Sequence, residues 1–96
     1  MLIEQEQNGH KGMFYIGDVT DPQAAMTYTM AAPDKMIIDH TEVSDALRGK
    51  NVGLQLVHFA VEYARTNNIK IIPLCPFARS VFKKKKEFED VLVKYS

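Results

Sequence analysis

The chain has a single cysteine, Cys75, which excludes an internal disulfide. Its three histidines, His10, His40 and His58, are scattered, and no zinc-ligand spacing forms from them, so no metal is expected. Neither charge is in excess. Twelve Lys and Arg balance twelve Asp and Glu, which argues against a nucleic-acid partner, whose phosphates would favour a basic surplus. Any bound anion is expected to be small and local. No apolar run is long enough for a membrane span or a secretory signal, and the opening "MLIEQEQNGHKG" is polar, so a cytoplasmic protein with no membrane partner is expected. The phosphate loop G-x-x-x-x-G-K-[ST] and the dinucleotide fingerprint G-x-G-x-x-G are both absent. Linkers, repeats and low-complexity segments are missing as well. With 96 residues, 46% of them hydrophobic, there is material for one core, and residues 1–96 are expected to form a single domain.

The hydrophobic pattern places the elements. Asn8-Gly9 is a turn signal inside a hairpin expected from about Leu2 to Asp18. Met26, Tyr28 and Met30 alternate within Ala24 to Ala32, Pro33-Asp34-Lys35 interrupts, and "MIIDHTEV" reads as a further strand. Four antiparallel strands follow from this. Val52, Leu56, Phe59, Ala60 and Tyr63 recur at three- and four-residue steps, predicting a helix over about 51–66 that stops near Asn67-Asn68. "IKIIPL", from Ile69 to Leu74, is a buried strand able to run parallel to the strand before the helix, closing a βαβ unit. Pro76 suits the first position of a second helix running through Phe82, with a break near Lys86. Met26, Tyr28 and Met30 read as core or sheet surface rather than a substrate groove.

Between the fourth strand and the first helix lies "SDALRGKNVGLQLV". Glycines and cations just ahead of a helix suit an anion seated on the unpartnered first amides, though they also suit a mere tight turn with Arg48 and Lys50 solvated. Arg48-Gly49-Lys50-Asn51-Val52-Gly53 resembles the Q/R-x-x-G-x-G/A pyrophosphate loop of the GNAT superfamily of acetyl-CoA-dependent N-acetyltransferases. Arg48 and Gly53 match its outer positions. Asn51 stands where the family has a glycine, and asparagine is among the residues most tolerant of left-handed backbone. The resemblance runs over nearly the whole chain, because the strands, "HTEV", the loop, the helix and "IIPLCPFARSVF" are similar to a compact bacterial subgroup of single-domain GNAT-like proteins.

That resemblance implies an α/β (α+β) fold: a mostly antiparallel, twisted sheet of about five strands with a βαβ ending and two main helices. It implies acetyl-CoA as cosubstrate, wedged between splayed fourth and fifth strands. Its cofactor-binding residues would be Val43, through its backbone amide on the thioester carbonyl, and Arg48, Gly49, Lys50, Asn51, Val52 and Gly53 on the pyrophosphate. Longer members carry two helices between their first strands, whereas only "NGHKG" stands there in this chain, so the usual acceptor-binding wall is missing.

The candidate catalytic residues are Cys75, His40 and Glu42. Cys75 lies between a strand and a helix, where the helix N-terminus lowers a thiol's pKa, and the matching cysteine of the resembled subgroup is a candidate catalytic residue. It would either protonate the departing CoA thiolate or carry the acetyl group itself; the alternative is a small buried hydrophobe. His40 shares a period-two face with Met36, Ile38 and Glu42, an odd place for two titratable groups unless they meet a cleft. There His40 would deprotonate an amine, with Glu42 orienting it or acting through water; otherwise both are solvated. Lys83 to Lys86 read as a solvated face, with reach toward the cofactor's 3′-phosphate as the alternative. The expected activity is acetyl transfer from acetyl-CoA to an amine acceptor whose identity is not legible, and the competing reading is an acetyl-CoA/CoA-binding module without turnover.

Overall fold

The computed structural model describes residues 2–93. Strands β1 (Glu4–Asn8), β2 (Lys11–Asp18), β3 (Asp21–Ala32) and β4 (Lys35–Val43) form an antiparallel meander. A short 3-10 turn, Asp45–Leu47, leads to helix α1 (Val52–Asn67), after which β5 (Lys70–Pro73) lies parallel to β4 in the order β1-β2-β3-β4-β5. Helix α2 (Pro76–Lys84) and a 3-10 segment, Lys86–Val91, complete the described chain. The expected sheet, βαβ ending and two helices are all present, with most boundaries shifted by a residue or two as the ends of elements fray and β3 beginning three residues earlier than expected, at Asp21.

One face of the sheet carries the core. Phe14, Met26, Tyr28, Met36 and Ile38 point to the side where α1 packs Leu56, Val57, Ala60, Val61 and Ala64, and α2 adds Ala78, Val81 and Phe82. The expected alternation of Met26 and Tyr28 is therefore core packing. Phe14 is its centre, with ring centroids 4.9 Å from Tyr28, 5.3 Å from Phe59 and 5.5 Å from Tyr63. The Tyr28 hydroxyl donates to Gln7 Oε1 at 2.8 Å and accepts from Gln5 Nε2 at 2.7 Å, so the buried phenol is satisfied and β1 is tied to the core. Gly12 permits this, because a Cβ there would lie 2.1 Å from Tyr28 Cζ. No helix among the described residues is long and apolar enough to cross a membrane.

α1 stops as its asparagines predict. Asn68 adopts left-handed backbone at φ 55°, ψ 47°, and its N–H reaches the Ala64 carbonyl. On the exposed side of that helix, Arg65 holds the C-terminal segment. Its Nε and Nη2 each donate to the Asp90 carboxylate at 2.9 Å, Nη2 also to the Glu87 carbonyl at 2.7 Å, and Nη1 to Glu62 at 2.6 Å. The Arg65 hydrogen bonds hold the Asp90 carboxyl below its ordinary pKa. A depressed carboxylate stabilises the fold above its unfolded-state pKa, and that contribution fades as pH falls through the lowered folded value. Asp90→Asn is accordingly expected to lower the melting temperature by a few degrees at neutral pH and to converge with the parent in strong acid. Thermal melts across the acid range check this, and a constant difference at every pH would rule it out.

Candidate active site

β4 carries the site because it loses its partner half-way along. Its pairing with β5 ends at Ile38 opposite Pro73, where the Ile38 carbonyl accepts both the Leu74 and Cys75 N–H groups at 3.1 Å. From Asp39 to Val43 the strand has β3 on one side and, among the described residues, no strand on the other. In the same stretch a β-bulge intervenes: Thr27 faces His40, yet the next residue, Tyr28, faces Ile38, so Asp39 is extra.

One extra residue inverts everything beyond it. Thr41, paired with buried Met26, and Val43, paired with buried Ala24, now turn toward the helices. His40 and Glu42, paired with Thr27 and Ala25, turn to the outer face and are exposed. The period-two reading that put His40 and Glu42 on the Met36–Ile38 face is thus corrected, although the two do meet, at 3.1 Å between Nε2 and Oε1. The bulge also resets the amides. Ser44 N–H bonds the Gln23 carbonyl of β3 at 2.8 Å, so alternation directs the Val43 N–H to the unpaired edge.

The loop beyond Val43 is held by backbone conformation. Gly49 has φ 81° and Asn51 is left-handed at φ 58°, ψ 30°, so the asparagine does adopt the geometry for which a glycine is ordinarily used. Asn51 precedes α1 without capping it through its side chain, which leaves the first helical amides open to an anion. Gly53 serves a close approach: a Cβ there would lie 2.5 Å from Phe77 Cζ, so the glycine lets the start of α2 rest on the start of α1.

Between these helix starts and the β4 edge lies a cleft of about 470 Å³. Thr41, Val43, Arg48 and Asn51 line one side, and Phe77 and Lys84 the other. Gly49, Val52 and Gly53 reach it as well, whereas Lys50 is exposed and does not. The four lysines divide. Lys84 and Lys85 line the cleft where α2 ends, while Lys83 and Lys86 do not, so the run is not uniformly a solvated face. Arg48 bends back to Asp45, with Nε 2.9 Å from Oδ1.

Cys75 sits at the base of this arrangement and is only 4% exposed. Its thiol lies 3.5 Å from Thr41 Oγ1, to which it donates, and Thr41 lines the cleft whereas Cys75 does not. Burial pushes the thiol pKa up, but the Thr41 hydroxyl and the amides of Ala78, Phe77 and Thr41 favour the thiolate and together bring it below the ordinary value. The sulfur makes no side-chain capping bond to α2; its lowered pKa comes first from the Thr41 hydroxyl and then from the amides that face it. Sequence reasoning missed Thr41 and Phe77. Thr41 was obscured by the bulge, and no local signal marks Phe77, whose role depends on a glycine 24 positions earlier.

The family model for GCN5-related N-acetyltransferases matches residues 13–91. The chain belongs to that family. Membership carries the enzyme class, an N-acetyltransferase. A GCN5-like candidate N-acetyltransferase from Staphylococcus aureus, solved by NMR, is 40% identical over 97% of this chain and 90% of its own, with a TM-score of 0.74. Two more distant structures share the fold: a ribosomal-protein-alanine N-acetyltransferase from Brucella melitensis (14% identity, 93% of this chain, 66% of that one, TM-score 0.61) and Tetrahymena GCN5 (14%, 93%, 64%, TM-score 0.62). None of the curated proteins matches the chain.

Thr41→Val keeps the shape of this GCN5-related site but removes the hydroxyl that favours the Cys75 thiolate. The pH midpoint for alkylation of Cys75 is expected to rise, because a hydrogen bond that favours the charged form is lost. Iodoacetamide rates against pH measure it, and an unchanged midpoint would remove Thr41 from the account.

Proposed function

We propose that the chain transfers an acetyl group from acetyl-CoA to a primary amine. The observation that carries this reading is the meeting, in one cleft, of an uncapped helix start and an unpaired strand edge. The first supplies amides for phosphates, and the second supplies the backbone for an amide-containing arm. The lining supports this reading: Gly49, Asn51, Val52 and Gly53 line the cleft at the uncapped start of α1, where amides suit a pyrophosphate, and Arg48, Lys84 and Lys85 bring positive charge to the same walls.

The Val43 N–H, turned to the open edge, is the donor for the thioester oxygen, where negative charge grows as the carbonyl carbon is attacked. Glu42 is the base that takes a proton from the incoming ammonium, with His40 hydrogen-bonded behind it at 3.1 Å. The nitrogen forms its bond to the acetyl carbon, the C–S bond breaks, and its electron pair leaves on sulfur. Cys75 then supplies a proton through the Thr41 hydroxyl, which it already touches, and regains one from the amine nitrogen as the amide forms. An amine cation and acetyl-CoA thus give an amide, CoA thiol and one proton. Direct transfer is favoured over an acetyl-cysteine because the sulfur is buried behind Thr41.

The absence of helices between β1 and β2 favours a second reading, a CoA-binding module without turnover. An amide-resolved NMR titration with CoA and acetyl-CoA, followed by acetyl release on adding amines, separates the two. Shifts are expected at Val43 and from Gly49 to Leu54; shifts centred elsewhere would refute the cleft as the site. Arg48→Ala is expected to weaken CoA about tenfold while sparing pantetheine, which lacks the pyrophosphate. Cys75→Ser is expected to bind acetyl-CoA normally and lose about 10²-fold in turnover, the size of a general-acid contribution. Wild-type turnover in that variant would remove Cys75 from the reaction.

A further inference from the structure

Asn51 stands where a glycine is ordinarily used, and its left-handed backbone, at φ 58°, ψ 30°, is strained for a residue that carries a Cβ. Its own side chain makes no capping bond that would offset the strain. Gln55, on the first turn of α1, takes hold of both peptide groups that flank it. The Gln55 N–H donates to the Asn51 carbonyl at 3.0 Å, and the Gln55 side chain reaches back with Nε2 to donate to the Lys50 carbonyl at 3.2 Å. The second of these bonds fixes a direction. No peptide bond among the described residues is cis, and in a planar trans peptide the C=O and N–H point opposite ways. With the Lys50 carbonyl turned to Gln55, the N–H of the same peptide, which belongs to Asn51, points away from it. Asn51 lines the cleft, whereas Lys50 and Gln55 do not.

The competing arrangement is a half-turn of this one peptide, the rotation that distinguishes type II from type I turns. It takes the φ of the following residue from positive to negative values, which a side chain prefers, and it puts the carbonyl where the N–H had been. A carbonyl in that place would set the negative end of its dipole against an anion. Glycine at position 51 would hold positive φ unaided, but asparagine gains less from it, so the choice between the two arrangements falls to whatever binds the Lys50 carbonyl. We infer that Gln55 is a positioning residue for the cosubstrate: its side-chain amide latches the Lys50–Asn51 peptide in the orientation that offers the Asn51 N–H to the pyrophosphate, and thereby replaces the missing glycine. The inference rests on the acetyl-CoA reading and adds to it a residue outside the cleft, through which the loop tolerates asparagine.

The test is a double-mutant cycle on the whole protein, read as dissociation constants for CoA and for pantetheine from amide-resolved NMR titrations. Gln55→Met keeps the length and helix propensity of the side chain while removing its donor, and Gln55→Ala removes the donor by truncation. Each is expected to weaken CoA about threefold to fivefold, within the worth of one hydrogen bond, and to leave pantetheine unchanged because it lacks the pyrophosphate. In the Asn51→Gly background the same two substitutions are expected to weaken CoA less than about twofold, since glycine adopts positive φ without the latch. Unaltered CoA affinity in both Gln55 variants, an equal loss for pantetheine, or a loss of the same size in the Asn51→Gly background would each overturn the latch while leaving the cleft standing as the CoA site. Failure of the unsubstituted chain to bind CoA would overturn the acetyl-CoA reading and this inference together.

Discussion

The extra residue in β4 is the constraint from which the site's geometry follows. Without it, Ile38, His40 and Glu42 would share the helix-facing side, and two polar groups would be driven against an apolar core at a cost of some kcal/mol each. With it, the same strand buries Met36 and Ile38 at one end and presents Thr41 and Val43 inward at the other. The shift also turns the Val43 amide away from β3, giving the strand a reactive edge where β5 has departed. One local irregularity thus sets which side chains meet Cys75, which amide is available, and which carboxylate stands on the far side.

Charge is distributed around that strand to the same effect. The chain is neutral overall, yet Lys84 and Lys85 line the cleft and Glu42 stands on the opposite side of β4. Exposed charges act over about 10 Å at moderate salt, so each side attracts its own ligand rather than both feeling an average. The arrangement suits the proposed transfer, which brings a polyanion and a cation together, and a net-charge count hides it.

Periodicity made most of the fold legible. Alternation in β3 and the three- and four-residue steps of α1 report burial directly, because a side chain's face is set by its position in a regular element. The Arg48–Gly53 loop was legible for a related reason: Gly49 and Asn51 both adopt positive φ, which few other residues tolerate. The bulge was not, since Asp39 and His40 carry no glycine to mark it, and a missed single residue reversed the faces assigned to His40 and Glu42. The lysine run was opaque for a geometric reason. Which of four consecutive cations meets the cleft depends on α2 ending at Lys84, and nothing in the run itself specifies that end.

The contact between Gly53 and Phe77 joins two features that look separate along the chain. Gly53 stands at the start of α1, and Phe77 belongs to the helix that Cys75 introduces, yet a side chain at 53 could enter only by displacing the Phe77 ring. A larger residue at 53 would have to be matched by a smaller one at 77 or by a turned ring, or the two helix starts would part and the cleft between them would widen. Among relatives that keep this architecture, a residue larger than glycine at 53 is therefore expected only beside a smaller or displaced side chain at 77.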